Sequence, residues 1–126
     1  SKLERFNEKR RRNAAFYNRE LADIPFIDVP YLPSYALPVF HQYTLRIREE
    51  RDALLQFLRD RGIGCEIYYP LPLHHQPFLQ GLLPASSFPV AERLSREVLS
   101  LPVHPQLTGE DLNTVVFEVR EFFLNH

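Results

Sequence analysis

A two-layer α+β domain, with a short and mostly antiparallel sheet covered by helices, is the fold class that this 126-residue sequence predicts. Three observations lead there. The elements read in the order helix, strand, helix, strand, helix, short strand, helix. Strands are few, and helices of these lengths can cover only one face of a small sheet. No repeat of fixed period is visible, and the length suffices for one core but not for two.

Lys2 to Leu21 is expected as a helix with a loose apolar face of Leu3, Phe6, Ala14, Tyr17 and Leu21. It begins abruptly, with charges from its first turn, which predicts a piece of something longer. Its basic run, Lys9, Arg10, Arg11 and Arg12, has two readings. One is a nucleic-acid contact. The favoured one is a solvated helix face, because Glu8 stands four residues before Arg12 and no second basic patch or interleaved aromatic set accompanies the run.

From Asp23 to Pro38 four prolines forbid regular helix, yet Ile24, Phe26, Ile27 and Val29 are too apolar for a free linker. An extended segment crossing a packed surface satisfies both. Val39, His41, Tyr43, Leu45 and Ile47 then alternate with polar neighbours, which predicts a half-buried strand over 39–47. A helix over 49–61 follows, with Leu54, Leu55, Phe57 and Leu58 inward and Gly62 at its C-cap. Ile63 to Tyr69 reads as the next strand, ended by Pro70 and Pro72. Pro89 suits a first helical turn, so Val90 to Leu99 is expected as helix, with Val90, Leu94 and Val98 on one side. Leu101 to Val103 is a short extended piece. Thr108 with Asp111 approximates a capping box for the last helix, whose broad apolar face runs from Leu112 to Phe123.

The formal net charge of -1 removes any global attraction to nucleic acid or anionic membrane. No apolar run approaches the roughly 18 residues of a membrane span. No basic leader with an apolar stretch opens the chain. The single cysteine, Cys65, excludes an internal disulfide framework, and a cytoplasmic location is the expectation. As a buried-strand residue Cys65 reads better as a small apolar side chain than as a nucleophile.

The four glycines never cluster, so no phosphate-cradling loop is present. Of the histidines, His74 and His75 are neighbours on a segment expected to be extended, and such neighbours point opposite ways. The pair alone therefore makes a poor chelate, and no metal is expected. A zinc site in which His41 and His104 converge with one of them is the minor alternative, without a supporting spacing. The remaining signal is Gly62 to Pro77, a strand feeding a stiff proline turn with two phenols and two imidazoles at its exit. Such a strand exit can be a binding wall held at low entropy cost. Equally, the tyrosines can finish the core with their hydroxyls at the rim.

The same residues carry a resemblance. Gly62-Ile63, then Tyr69-Pro70-Leu71-Pro72-Leu73-His74-His75-Gln76, resembles the C-terminal signature of the DegT/DnrJ/StrS family of sugar aminotransferases. Arg51-Asp52-Ala53-Leu54, His41-Gln42-Tyr43, Phe88-Pro89-Val90-Ala91-Glu92, Leu99-Ser100-Leu101-Pro102 and the helix-opening Lys2-Leu3 with Phe6-Asn7 match in order, so the likeness covers nearly the whole chain. Tyr68 departs from it, standing where the family usually has histidine.

The resemblance implies the C-terminal domain of a fold type I enzyme dependent on pyridoxal phosphate (PLP), within a single domain over 1–126: a lead-in helix over 1–22 and a small domain over 23–126. The large N-terminal PLP-binding domain is expected to be absent. In the parent enzyme an amino donor, usually glutamate, loads the cofactor, and a keto sugar on a nucleoside diphosphate is aminated for glycan or lipopolysaccharide precursors. A homodimer is implied. By analogy Tyr68, Tyr69 and His74 face the sugar or cofactor, with His41 and Gln76 as secondary candidates. Lys2 and Lys9, the only lysines, lie on the charged opening helix, so no cofactor-binding or catalytic residue is expected here and the chain alone is expected to be inactive. The alternatives are a free-standing module contacting nucleic acid through Lys9 to Arg12, and a regulatory protein that keeps the aminotransferase fold.

Overall fold

The computed structural model describes residues 1–84 and 86–126. Among them are helices α1 (Lys2–Leu21), α2 (Arg51–Asp60), α3 (Pro89–Glu97) and α4 (Gly109–Asn125), and strands β1 (Ile27–Asp28), β2 (Tyr43–Ile47) and β3 (Val98–Leu101). The sheet order is β1-β2-β3 and every pairing is antiparallel. The α+β class is as expected.

Each helix is specified locally. Ser1 accepts the Glu4 N–H to cap α1. Thr108 and Asp111 form a complete reciprocal capping box on α4. Gly62, with φ of 76°, turns the chain back after α2, a left-handed conformation that glycine adopts without a Cβ penalty. The core gathers Ala14, Tyr17 and Leu21 of α1, Leu54 and Leu58 of α2, and Leu112 to Phe122 of α4 against Tyr43, Leu45, Ile47, Leu99 and Leu101 of the sheet. Burial of each large side chain here contributes about 1.5–3 kcal/mol.

Strand boundaries depart from the sequence expectation in three places. β2 begins at Tyr43 rather than Val39, because Phe40 takes a left-handed backbone (φ 50°) that interrupts extended chain, leaving Val39 and His41 exposed. The strand expected over 63–69 is reduced to a single bridge, Glu66 to Ser100, although Ile63 and Cys65 are buried in alternation. Beyond it Pro70 and Pro72 have no N–H to donate to a ladder. The helix expected to reach Leu99 stops at Glu97, and Val98–Leu101 becomes β3 because β2 offers it unpaired backbone groups, with Leu45 opposite Leu99 and Thr44 opposite Ser100. Val90, expected inward on α3, is exposed, and Ser95 is the buried residue of that helix.

Arg51 holds this junction. Its guanidinium is buried and donates to the carbonyls of Ser95 (3.0 Å) and Val98 (2.9 Å), where α3 ends and β3 begins. On the other side α1 is fastened by polar bonds. Asn13 donates to the carbonyls of Val103 (3.2 Å) and His104 (3.1 Å), Tyr17 to that of Pro102 (2.6 Å), and Tyr43 to Asn18 Oδ1 (2.7 Å). Burial pushes the Tyr17 and Tyr43 phenols well above their ordinary value, with the Asp111 charge adding to the effect on Tyr17.

Arg51→Ala is expected to lower unfolding stability by about 2–3 kcal/mol, read as a fall in the urea midpoint at unchanged m value. A second expectation concerns alkaline pH. The folded state keeps both tyrosine protons where the unfolded chain has lost them. The stability from this preference is complete below about pH 10 and declines as the pH rises further. Urea midpoints measured against pH should therefore fall above about pH 10, and Tyr17→Phe should flatten that fall.

Candidate functional site

Gly62 delivers the chain to the open edge of β3, where Glu66 and Ser100 exchange two backbone bonds (3.1 and 2.8 Å). Arg59 fastens the same point by donating to the Cys65 carbonyl (3.3 Å) and to Glu66 Oε2 (2.9 Å). Two residues later the phenols emerge, Tyr68 at 43% and Tyr69 at 70% exposure, with their rings edge-to-face at 5.9 Å. They do not finish the core. Of the two readings left open by the sequence, the one in which the phenols finish the core does not match this exposure.

Tyr68 lines an open cleft of about 320 Å³ together with His41, Arg10, Gln42, Glu66 and His104. The fold thus brings His41 and Tyr68 together, although His41 lies outside any strand. Glu66 was not among the sequence candidates, His104 stood only in the minor zinc alternative, and Arg10 only in the nucleic-acid reading of the basic run. Their convergence depends on α1 and the β3 exit meeting at Asn13, which no local pattern announces.

His74 lies elsewhere. Residues Leu73–His75 form a 3₁₀ turn, and His74 Nε2 lies 2.8 Å from Glu92 Oε1 in the first turn of α3. Phe88 stacks edge-on against the His74 ring at 4.8 Å and donates its N–H to the same Glu92 oxygen at 3.3 Å. The His74 bond foremost, and then the Phe88 N–H, hold the Glu92 carboxyl below the usual carboxylate range. His75 does not point away from His74, as extended chain would require. The rings are 4.1 Å apart, and His75 Nε2 is 3.7 Å from Glu92 Oε1. The 3₁₀ turn overturns the expectation that the two rings point opposite ways. Gln76 donates to the Leu71 carbonyl (3.3 Å) and so staples its own loop.

A second open cleft, of about 450 Å³, lies beside this group, with His74, His75, Gln80, Ser86 and Ser87 on its wall. Glu92 is the residue that sequence reading missed here. Its signal was an acid in the first turn of a helix, which is ordinary for a helix N-terminus and so pointed to no partner. Cys65 is buried, and that burial raises its thiol above the ordinary value, which disfavours a reactive thiolate. On α1, Arg11 pairs with Glu4 (2.7 Å) and Arg12 with Glu8 (3.0 Å), so part of the basic run is engaged within its own helix.

Comparison with known proteins places the chain in a family. The model of the DegT/DnrJ/EryC1/StrS aminotransferase family matches residues 1–120. The chain is 40% identical over 124 residues to a pleiotropic regulatory protein of Geobacillus stearothermophilus, covering 96% of this chain and 33% of the relative. It is 39% identical over 121 residues to the dTDP-3-amino-3,4,6-trideoxy-alpha-D-glucose transaminase of Streptomyces venezuelae, covering 95% and 32%. In three dimensions it is similar to the crystal structure of S. venezuelae DesV in complex with a ketimine intermediate, at TM-score 0.87 and 39% identity, covering 93% of this chain and 32% of that one. The chain spans about a third of the length of the curated relatives it matches.

Proposed function

The chain belongs to the DegT/DnrJ/EryC1/StrS aminotransferase family, and on that premise we propose that it is the C-terminal small domain of a PLP-dependent aminotransferase acting on a nucleotide-linked keto sugar. The observation that carries the reading is the pair of exposed phenols, Tyr68 and Tyr69, at the end of a segment pinned by Glu66 and stiffened by Pro70 and Pro72. A sugar presents hydroxyls and a carbonyl, and rigid phenols can hydrogen-bond those groups while stacking on the ring. Tyr68 and His41 share a cleft with Arg10, a cation suited to a diphosphate. In this proposal Tyr68 and Tyr69 touch the sugar or cofactor. His74, held on Glu92, fixes the turn beside them, and Gln76 keeps the loop closed.

PLP supplies an electron sink for moving the amino group, and it requires a desolvated or charge-tuned lysine amine. The residues present here do not fit it. Lys2 is exposed on α1 with its amine 5.6 Å from the Phe6 ring centre, and Lys9 is exposed beside Arg12 on the same helix. We assign the lysine, and with it the cofactor, to a larger N-terminal domain of a longer protein. The two proline-rich stretches support such a partner, since they expose Tyr31, Tyr35, Leu37, Leu73 and Phe78. A homodimer, glutamate as amino donor, a cytoplasmic location and a role in glycan precursor synthesis complete the proposal. The described residues contain no helix long and apolar enough to cross a membrane.

The likeness to the Geobacillus pleiotropic regulatory protein favours one second reading, a regulatory protein that keeps the aminotransferase fold. Turnover by the longer protein separates the two.

Purified chain mixed with PLP is expected to show the absorbance of free PLP and no borohydride-fixed lysine adduct. A saturable adduct on Lys2 or Lys9 overturns the assignment of the lysine to another domain. In the longer protein, Tyr69→Phe should lower kcat/KM roughly tenfold, the equivalent of one lost hydrogen bond. Its urea midpoint should stay at the wild-type value because Tyr69 is largely exposed. Unchanged turnover would remove Tyr69 from the site.

A further inference from the structure

Two imidazoles and a carboxylate converge where the 3₁₀ turn meets α3. The ligand atoms of His74, His75 and Glu92 all lie within 4.8 Å of one another. We propose that these three side chains form a binding site for a divalent transition-metal ion of the zinc class, with its remaining coordination position open to the neighbouring cleft.

The geometry is close to what the ion requires. Tetrahedral bonds of about 2.0–2.1 Å place neighbouring donor atoms about 3.3 Å apart. The two Nε2-to-Oε1 separations are 2.8 Å for His74 and 3.7 Å for His75, one on either side of that spacing. The His75 separation is too long for a hydrogen bond, so that ring is aimed at the carboxylate without being bonded to it. An ion between the three atoms would engage all of them at once.

The donors are also held in advance. His75 N–H donates to the Pro72 carbonyl (2.9 Å) and Gln76 N–H to that of Leu73 (3.1 Å), so the turn carrying both imidazoles is closed by its own backbone. Pro72 and Pro77 bracket it. Glu92 is fixed from behind by the Phe88 N–H. Pre-set ligands reduce the ordering cost of binding.

Chemistry selects the class of ion. Imidazole nitrogen suits zinc, copper, nickel and iron, whereas calcium and magnesium prefer all-oxygen shells. Two histidines and one glutamate leave a fourth tetrahedral position, and Gln80, Ser86 and Ser87 on the cleft wall can hydrogen-bond a water or anion placed there. The competing account is a plain His74–Glu92 pair with His75 as a bystander. The two differ in what His75 contributes. The site stands on these three residues and does not depend on the aminotransferase reading.

The test is a cobalt(II) titration of chelator-treated, dialysed chain, followed by visible absorbance with zinc as competitor. Saturable binding at about one ion per chain, displaced by zinc, is expected. His75→Ala should weaken it by at least the roughly 10–100-fold typical of losing an outer-shell partner. His75 is half-exposed and its ring makes no hydrogen bond among the described residues, so this variant is expected to fold, with circular dichroism as the check. Glu92→Gln should weaken binding comparably, and His126→Ala should leave it unchanged. Absence of saturable binding, binding that survives His75→Ala, or binding lost in His126→Ala overturns the proposal.

Discussion

The buried Arg51 guanidinium governs the place where α3 becomes β3, and both clefts depend on that place. A helix end in the interior leaves carbonyls that need partners. Arg51 satisfies two of them, Ser95 and Val98, from the first turn of α2. With the junction held, Ser100 lies between Thr44 on one side and Glu66 on the other. Tyr68 follows Glu66 by two residues, so the phenol wall takes its position from β3. Running back from the same junction, α3 presents Glu92 to His74. The Arg51-Asp52-x-Leu54 motif therefore has a structural role that its distance in sequence from Tyr69 conceals. Leu54 packs in the core, and Asp52 pairs with Arg51 from the exposed side at 2.7 Å.

The attachment of α1 follows a different principle. Ala14, Tyr17 and Leu21 supply its apolar contact, but Asn13, Tyr17 and Asn18 add directed bonds to the β3 exit and to Tyr43. Among the described residues no buried side-chain nitrogen or oxygen lacks a partner. Apolar burial tolerates sliding, whereas a phenol bonded to one carbonyl specifies one register. That register brings Arg10 beside His41 and Tyr68. Arg120 adds an outer tie, donating to the Glu20 carbonyl (2.5 Å) and to Asp23 (2.6 Å), and its side-chain bond holds the Asp23 carboxyl below its usual range.

Helices were more legible in the sequence than strands, for a physical reason. The apolar faces of α2 and α4, the Gly62 turn and the Thr108–Asp111 box act within a few residues of chain, and each was found where expected. Strands need a partner. The alternation through Val39 and His41 was real as a pattern, but Phe40 turns left-handed before it can become pairing. Val98 to Leu101 reads as the end of an amphipathic helix until β2 is beside it. The segment from Ile63 to Ile67 keeps the alternating burial of a strand with only one bridge, and the prolines that follow cannot extend the ladder.

For the candidate site the division is sharper. The sequence by itself determined the α+β class, the stiff proline turn, the resemblance to an aminotransferase family and the exposed position of both lysines on a charged helix. The resemblance rests on matched motifs, and the others are properties of composition and local spacing. Only the tertiary structure decided that His74 and His75 face the same carboxylate and that His41 joins Tyr68 across a cleft with Arg10. Glu92 is 18 residues from His74, and Arg10 is on a helix that meets the sheet only through long-range packing. Convergence of that kind is set by where elements dock, and docking depends on groups such as Arg51 and Tyr17 whose partners lie 44 to 85 residues away along the chain.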